Sequence, residues 1–464
     1  MLAGLSLGES LLFLVLLPVA SICFLSLDAD FCLFSMGLEQ STFIGLFGLT
    51  ILIAAAFYNV IEVKHGPPVG RSRATNGTPV PFILLSGTSE QDYQTMFRSV
   101  HKSLETYRAE THGSLETLSR ALDVARDHST VASHLIRSKI ERLSAIFNED
   151  METLEEILCA EQLRLTRVLP SAPTESTQPQ EPANNGRNSS TDFVWNLGAQ
   201  GSGLSHIPYD SIRQVVAHVV RDWSKAGSSV RAPLYNWIVF QLQTHMLSTM
   251  GGPVLVPGAG LGRLAYEIAF HLGRSVEAVE SSIMMATMAD AVLRMQQTYL
   301  HRLHPYASDP FANEINSDLR YESVSFPDIV PSLRDRSGSL SFTLAEFSKD
   351  ALPENHYSAV VTCFFIDTAA TFFDYLATIE RLLISGGIFI NVGPLHWHPN
   401  SRLPLTADEM RSVLESRKTS DGHAMFDLLV WTVDDRPLKY RDSRVGASTF
   451  NDGYVPIRFV LRRH

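Results

Sequence analysis

Residues 253–263, PVLVPGAGLGR, decide the fold of the carboxyl-terminal half of this chain. The apolar run PVLVP predicts a short buried strand, and Gly258, Gly260 and Gly262 predict a tight turn into a helix over 264–272. Glycine lets a backbone approach a ligand closely, and the free N–H groups at the start of a helix favour a carboxylate or a phosphate. The stretch therefore predicts a ligand site between a strand and a helix.

The spacing of these glycines distinguishes two classes of cofactor site. A dinucleotide site needs G-x-G-x-x-G, whereas position 263 is Arg and the third glycine stands at 262. A second predicted strand, over 275–279, ends on Glu280, whose carboxylate can accept hydrogen bonds from both hydroxyls of a ribose. The G-x-G-x-G turn with that acid resembles the core of an S-adenosylmethionine-dependent methyltransferase. A dinucleotide site, and a glycine turn that only packs the helix on the sheet, stay open as alternatives.

Further apolar runs after residue 207 extend the pattern to an α/β domain with a parallel sheet and helices on both faces, Rossmann-like in class. Strands are predicted over 339–344, 357–365, 387–392 and 456–461, with a helix over 371–383. Ligands of such sheets bind beyond the carboxyl ends of the strands. Glu346, Phe347, residues 363–367 and residues 391–398 are therefore expected to face cofactor and substrate.

Five separated motifs also resemble the carnosine N-methyltransferase family, over about residues 210–462. They are VVRDWS (219–224), VLVPGAGLGRLAYEIA (254–269), FPD (326–328), TCFFIDTA (362–369) and GGIFINVGPLHWH (386–398). The resemblance implies methyl transfer from S-adenosylmethionine to an imidazole nitrogen of a histidine-containing dipeptide such as carnosine. Because the sulfonium of that cofactor is already reactive, no metal is expected.

The resemblance also implies roles for individual residues. It places Arg221, Gly258, Glu280, Phe347 and Cys363 at the cofactor, where Gly260 and Gly262 of the turn join them. It places Asp367, His398 and Tyr454 at the substrate, with Asp367 and His398 as the catalytic pair.

Several positions depart from the family pattern at the predicted cofactor pocket. His218 stands where the family has Gln, and Glu346 stands where it has the Asp that would reach the adenine. Val279 replaces Asn, and residues 281–282, both Ser, replace an aromatic residue and Ser. Glu346 keeps a carboxylate but moves it by one methylene, which matters in a tight site. His218 and Glu346 are retained as predicted cofactor residues.

The predicted substrate residues have chemical roles and simpler alternatives. Asp367 is expected to accept a hydrogen bond from the imidazole N–H or to bind a substrate amine, and His398 to orient the imidazole or a carboxylate. As alternatives, His398 only holds its loop, Tyr454 is a core residue, and Arg221 only pairs with Asp222 or a helix end. Cys363 is expected to line the pocket as a thiol, and the short spacing of HWH is weak evidence for a metal.

Two uncharged apolar segments, at 11–27 and 41–60, are each about long enough to cross a bilayer. Basic residues come after the second segment, so a membrane hairpin over 1–65 is expected, with the rest of the chain in the cytosol. A single span, a secretory signal and a buried hairpin are the alternatives. Which membrane would hold the protein cannot be deduced from the residues.

Between the apolar segments and the α/β domain, the pattern predicts a linker at 66–82, a helical region at 83–168 and a disordered linker at 169–206 rich in Pro, Ser and Thr. Amphipathic periodicity predicts two or three helices over 89–168. The net charge of -11 argues against a nucleic-acid partner. A small dipeptide, the membrane and a second copy of the chain are the expected partners. A tethered binding protein without activity, and a methyltransferase of a protein histidine or of another small amine, are the rival functions.

Overall fold

The computed structural model describes residues 82–84, 90–124, 130–168, 212–247, 250–307, 313–333, 337–348, 352–440, 444, 446–450 and 453–464. All of them lie in the second of two units, Gly77–His464. The predicted membrane hairpin and the predicted linker at 169–206 lie outside the described residues. Within the described ranges, no helix combines the length and the apolarity needed to cross a membrane.

A mixed sheet of eight strands forms the centre of the described unit, in the order β1-β6-β3-β2-β7-β8-β10-β9. Its strands are β1 (Phe82–Leu84), β2 (Val254–Pro257), β3 (Ser275–Glu280), β6 (Ser339–Leu344), β7 (Tyr357–Cys363), β8 (Leu383–Gly393), β9 (Phe426–Val433) and β10 (Ile457–Arg463). Neighbours pair in parallel from β1 to β8, and β10 is antiparallel to both β8 and β9. A separate antiparallel pair consists of β4 (His301–Leu303) and β5 (Val324–Phe326).

Nine α-helices lie in the described ranges. They are α1 (Glu90–Val124), α2 (Thr130–Val168), α3 (Ile212–Trp223), α4 (Ser228–His245), α5 (Arg263–Leu272), α6 (Ile283–Leu293), α7 (Ser317–Arg320), α8 (Phe372–Leu382) and α9 (Ala407–Ser416). The apolar periodicity over 89–168 therefore forms two long helices.

Side chains that alternate along each strand feed two apolar cores, one on each face of the sheet. Val254 and Val256 of β2 pack with α3, α4, α5 and α6, and the helices α1 and α2 contribute Leu104 and Leu154 to the same core. Leu255 packs on the opposite face with side chains of α8 and α9, such as Leu376. The expected α/β fold with helices on both faces is confirmed.

Several predicted boundaries were wrong for local reasons. The strand predicted over 357–365 ends at Cys363, because Phe364 has a φ of 54° and turns the chain out of the sheet. The prediction for β8 began at 387, but the strand already begins at Leu383. Phe82 was assigned to the linker at 66–82, but it pairs with Phe342 at the edge of the sheet. A three-residue edge strand is too short to show a period of two.

Candidate active site

The glycine turn between β2 and α5 lies at the carboxyl end of the central strand β2. Gly258 and Gly260 have φ angles of 62° and 55°, in the left-handed region that side chains disfavour. A Cβ on Gly258 would lie 2.1 Å from Cδ2 of Phe365, and one on Gly260 would lie 3.3 Å from Nδ1 of His218. Backbone angle and neighbouring rings therefore both require glycine at Gly258.

Glu280 fastens this turn to the end of β3. Its buried carboxylate accepts hydrogen bonds from the backbone N–H of Gly260 at 2.8 Å, of Ser281 at 2.9 Å and of Ser282 at 2.8 Å. The predicted partner of a ribose thus also holds the glycine turn. Its contact with a ribose stays a prediction.

Arg221, at the end of α3, reaches the other side of the turn. Its guanidinium pairs with Asp222 at 2.7 and 2.9 Å, donates to the hydroxyl of Tyr440 at 2.5 Å and lies 3.2 Å from Nδ1 of His218. Burial by itself would raise the pKa of Asp222, but the charge and the hydrogen bonds of Arg221 hold that pKa below its ordinary value. The pairing with Asp222 is therefore present, and a contact of Arg221 with a cofactor carboxylate stays a prediction.

A small cavity of about 30 Å³ lies beneath the turn. Its lining includes three predicted cofactor residues, Arg221, Gly258 and Cys363, together with Phe364 and Tyr440. Burial raises the pKa of the Cys363 thiol to about 12, so that the thiol stays protonated at pH 7. A protonated thiol is a poor nucleophile.

The predicted adenine side lies where β6 ends next to β3. Glu346 is exposed, whereas Phe347 is buried and packs edge-on against Phe365 at 5.7 Å and Tyr375 at 5.5 Å between ring centroids. Phe365 and Tyr375 stack at 4.8 Å. Three aromatic rings thus pack together next to Gly258, which the Phe365 ring contacts.

Asp367 lies against the loop that carries His398. Asp367 lies in a short 3₁₀ turn after β7, and its Oδ2 accepts a hydrogen bond from the backbone N–H of His396 at 3.0 Å. Its backbone carbonyl accepts from the N–H of His398 at 3.1 Å. Two hydrogen bonds therefore tie the loop after β8 to the turn after β7, at neighbouring strand ends.

The protonation of both side chains is shifted by burial. Burial raises the pKa of Asp367 to about 6, although the backbone N–H of His396 pulls it down. Burial, and then the neighbouring His396, lower the pKa of His398. At pH 7 Asp367 is therefore a carboxylate and His398 a neutral imidazole.

Four rings cover this end of the site and form an aromatic cluster: Phe364, His396, Tyr440 and Tyr454. Tyr440 stacks on Phe364 at 4.6 Å between centroids and meets Tyr454 edge-on at 5.7 Å. His396 lies 5.5 Å from Tyr454. Sequence reasoning missed Tyr440, since it lies in a connection without a motif and no pattern pointed to it.

In the described part of the chain, no group of three or more His, Cys, Asp or Glu side chains converges as a metal site would require. The HWH motif places His396 and His398 on one loop, with His396 exposed. The site offers hydrogen bonds, aromatic rings and the buried carboxylates of Asp222, Glu280 and Asp367.

Known proteins are similar to the segment of the chain that carries most of these site residues. A family model described as carnosine N-methyltransferase matches residues 204–424. Over 194 residues the chain is 35% identical to the carnosine N-methyltransferase of Mus musculus, covering 41% of this chain and 48% of the mouse protein. Over residues 204–424 this chain is therefore similar to the carnosine N-methyltransferase family.

Another relative matches a longer part of the chain, but still little more than half of it. Carnosine N-methyltransferase unmet of Drosophila melanogaster is 29% identical over 269 residues, covering 56% of this chain and 57% of that protein. The chain therefore spans about half the length of the curated relatives it matches. Among solved structures, a putative S-adenosylmethionine-dependent methyltransferase from Methanococcus maripaludis superposes at a TM-score of 0.30 with 12% identity, over 54% of this chain and 91% of that one. A likeness at that score supports no conclusion about function.

The family match ends before the last part of the site. Tyr440 and Tyr454 lie beyond residue 424, in the connection between β9 and β10. Within residues 204–424, the structure brings Arg221, Gly258 and Cys363 to one cavity and Asp367 and His398 to one loop contact.

Proposed function

We propose that residues 207–464 form an S-adenosylmethionine-dependent N-methyltransferase that methylates an imidazole nitrogen of a histidine-containing dipeptide such as carnosine. The observation that carries the proposal is the meeting of the glycine turn with the Asp367 and His398 loop at adjacent strand ends, within a segment of this family. A parallel sheet binds its ligands at that edge.

The residues present fit the cofactor. Gly258 and Gly260 present backbone without a Cβ, Glu280 is a buried carboxylate beside them, and Arg221 supplies a guanidinium that is 14% exposed and paired with Asp222. In this proposal Arg221 binds the carboxylate of the cofactor, Glu280 binds the ribose and Phe347 packs on the adenine. When bound, S-adenosylmethionine supplies an activated methyl group, so the protein mainly has to align donor and acceptor.

The substrate side fits a neutral imidazole. An imidazole has an ordinary pKa near 6.5, and its neutral form carries the nucleophilic lone pair. The Asp367 carboxylate accepts a hydrogen bond from the ring N–H and so selects which nitrogen is free to attack. His398, held neutral, orients the ring or the substrate carboxylate without repelling it.

The test uses the purified full chain with a labelled methyl donor and carnosine, free histidine or no acceptor. We expect label on carnosine, and a rise in melting temperature with S-adenosylhomocysteine, since a ligand that binds only the folded state stabilises it. A thermal shift without label on carnosine would overturn the substrate and leave the cofactor site. The absence of any thermal shift would overturn the cofactor site itself.

We further propose that the first 65 residues tether this domain to a membrane, with residues 66–464 in the cytosol. The support is the length of the two uncharged segments and the basic residues that come after them. We expect the full chain to stay in the membrane fraction after extraction with alkaline carbonate. In cells whose plasma membrane alone has been made permeable, we expect added protease to cleave a tag at the carboxyl terminus. Extraction into the soluble fraction would contradict the tether. The homodimer also stays a prediction, which sedimentation velocity tests.

A further inference from the structure

The connection between β9 and β10, residues 434–456, carries two rings of the aromatic cluster, Tyr440 and Tyr454. Within the connection, Leu438 and Tyr454 form one two-way backbone bridge, with N···O distances of 2.8 and 2.9 Å. This bridge fixes the ends of the loop but not its middle. The path of the middle must therefore be set by contacts with other parts of the protein.

Arg444 supplies such a contact from the middle of the connection. Its Nη1 donates to Oε2 of Glu322 at 2.9 Å and to the backbone carbonyl of Leu319. Its guanidinium carbon lies 3.3 Å from the ring centroid of Tyr306, and its Nη2 lies 3.9 Å from Oε1 of Glu314. The Arg444 side chain is only 13% exposed. We call Arg444 with these four residues the clasp.

The four residues that join Arg444 in the clasp lie in one excursion from the sheet, residues 301–326, which contains β4, α7 and β5. Backbone hydrogen bonds run alongside the clasp, from Ile315 N to the carbonyl of Ala447 at 3.0 Å and from Thr449 N to that of Asn313 at 2.7 Å. Described residues of the excursion and of the connection are thus joined at several points. Arg444 reaches from the connection into the excursion, as do Ser448 and Thr449, whose hydroxyls donate to the carbonyl of Asn313 at 3.3 and 2.9 Å.

The chemistry of the clasp requires arginine in particular. A guanidinium can stack on a ring while it donates in its own plane to two acceptors, which an ammonium cannot do in the same way. Glu314, whose side chain is 9% exposed, also pairs with Arg320 at 3.3 Å. Removal of Arg444 would leave a mostly buried carboxylate with less compensating charge.

We propose that Arg444 is a positioning residue for the methyl acceptor: it holds the β9–β10 connection so that Tyr440 and Tyr454 stay against Phe364 and the Asp367 loop. The inference rests on the proposed function. Arg444, which lies beyond the family match, then helps to shape the side of the site that binds the acceptor. The excursion, more than 100 residues before Arg444 in the sequence, shapes that side through the clasp.

The kinetic test compares Arg444→Gln and Arg444→Lys with Arg436→Gln. Arg436 is the matched control, because it lies on the same connection but is 88% exposed, with its nearest acid at 4.0 Å. A misplaced binding surface weakens ground state and transition state alike, so we expect the KM for carnosine to rise about tenfold in Arg444→Gln, with kcat changed less and the Kd of S-adenosylhomocysteine within about threefold. Arg444→Lys should recover part of the loss, and Arg436→Gln should match the wild type.

A second measurement does not depend on methyl transfer. Hydrogen exchange of peptides from 434–456 and 313–322 should be faster in Arg444→Gln than in the wild type, with β2 and α5 unchanged. If wild-type protein fails to methylate carnosine, the proposed function falls while the exchange result still decides the positioning role. An unchanged KM with unchanged exchange overturns the inference, and so does a loss of cofactor binding equal to the loss of acceptor binding. If Arg444→Gln does not fold, Arg444→Lys carries the same comparison.

Discussion

At the scale of the residue, Asp367 is a carboxyl group in a position that disfavours its charge. It is 6% exposed, and burial raises its pKa to about 6 from an ordinary value of 3.8. Below pH 4 the group is protonated in both the folded and the unfolded state and contributes nothing. As the pH rises from 4 through 6, the unfolded state ionises first, so the ionised carboxylate lowers the stability of the folded protein at neutral pH.

Asp367→Asn should therefore separate stability from activity. We expect turnover of carnosine to fall by at least a hundredfold because the Asn amide cannot replace the carboxylate charge, while the folded state gains about 1–3 kcal/mol at pH 7.5. The melting temperatures of variant and wild type should coincide near pH 4 and diverge towards pH 7. A variant with wild-type turnover, or one less stable at pH 7.5 than the wild type, would count against this role of Asp367.

Asp328, of the FPD motif, gives a second prediction at the residue scale. Its side chain is 10% exposed and bridges two arginines: Oδ1 accepts from Arg263 at 2.7 Å, and Oδ2 accepts from Arg231. These arginines also donate to backbone carbonyls at the end of α3, including that of Asp222 at 3.0 Å. The acid thus holds the segment that carries Arg221 against the glycine turn.

Asp328→Asn leaves two buried guanidinium groups without their shared counter-charge, so we expect a loss of about 3 kcal/mol in the free energy of unfolding. Urea titration measures this loss. Asp435→Asn is the control, since Asp435 is 91% exposed and should change stability by less than about 0.5 kcal/mol. Equal effects of the two substitutions would show that Asp328 has no special part in the fold.

At the scale of the element, the end of β7 and the glycine turn after β2 fit together as one corner. Phe364 leaves the strand with a positive φ while its N–H still donates to the carbonyl of Val392 at 2.8 Å. This places the ring of Phe365 over Gly258. The turns that follow the neighbouring parallel strands β2 and β7 therefore pack against each other. The proposed cofactor pocket depends on both turns.

Gly258→Ala should disrupt that corner. The new Cβ would overlap the Phe365 ring, and the left-handed backbone costs a further 1–2 kcal/mol or so. We expect the thermal shift caused by S-adenosylhomocysteine to be lost. Gly422→Ala separates the two effects, because Gly422 has a φ of 86° but open space around it. It should lower the melting temperature slightly and keep the ligand-induced shift; a full ligand-induced shift in Gly258→Ala would contradict the argument.

At the scale of the whole described unit, the helical region is joined to the sheet by buried contacts. Asp150 of α2 accepts hydrogen bonds from the backbone N–H of His304 at 3.0 and 3.1 Å and from its Nδ1 at 2.8 Å. Both side chains are 8% exposed. The excursion that bears the clasp is thus attached to α2 on one side and to the β9–β10 connection on the other.

Asp150→Ala should loosen that attachment. It leaves buried donors of His304 unpaired, which costs about 2 kcal/mol. Glu149→Ala is the neighbouring control, because the Glu149 and Arg302 side chains are 46% and 55% exposed and an exposed pair contributes less than about 1 kcal/mol. Thermal unfolding of the two variants under one set of conditions compares them. A milder effect of Asp150→Ala than of Glu149→Ala would contradict the attachment.

Local pattern was sufficient for part of this protein. The strand, turn and helix at 253–272, the Glu280 strand and the α/β class are predicted by short-range hydrophobic period and glycine spacing, which act within one element. The same pattern missed β1, α9 and β9 and the β4–β5 pair. Pairing with distant strands, rather than local preference, stabilises the strands among these elements. The helix α9 packs into the apolar core through Met410 and Leu414.

The sequence by itself determined which elements form around the glycine turn and which motifs point to a methyltransferase. Only the tertiary structure decided that Tyr440 lies against Arg221, 219 positions away along the chain, and that His304 pairs with Asp150 across 154 positions. It also decided that Glu280 holds the glycine turn through the N–H of Gly260. Such contacts depend on the path of the whole chain, because side-chain charge, burial and ring packing act through space between residues that no local period connects.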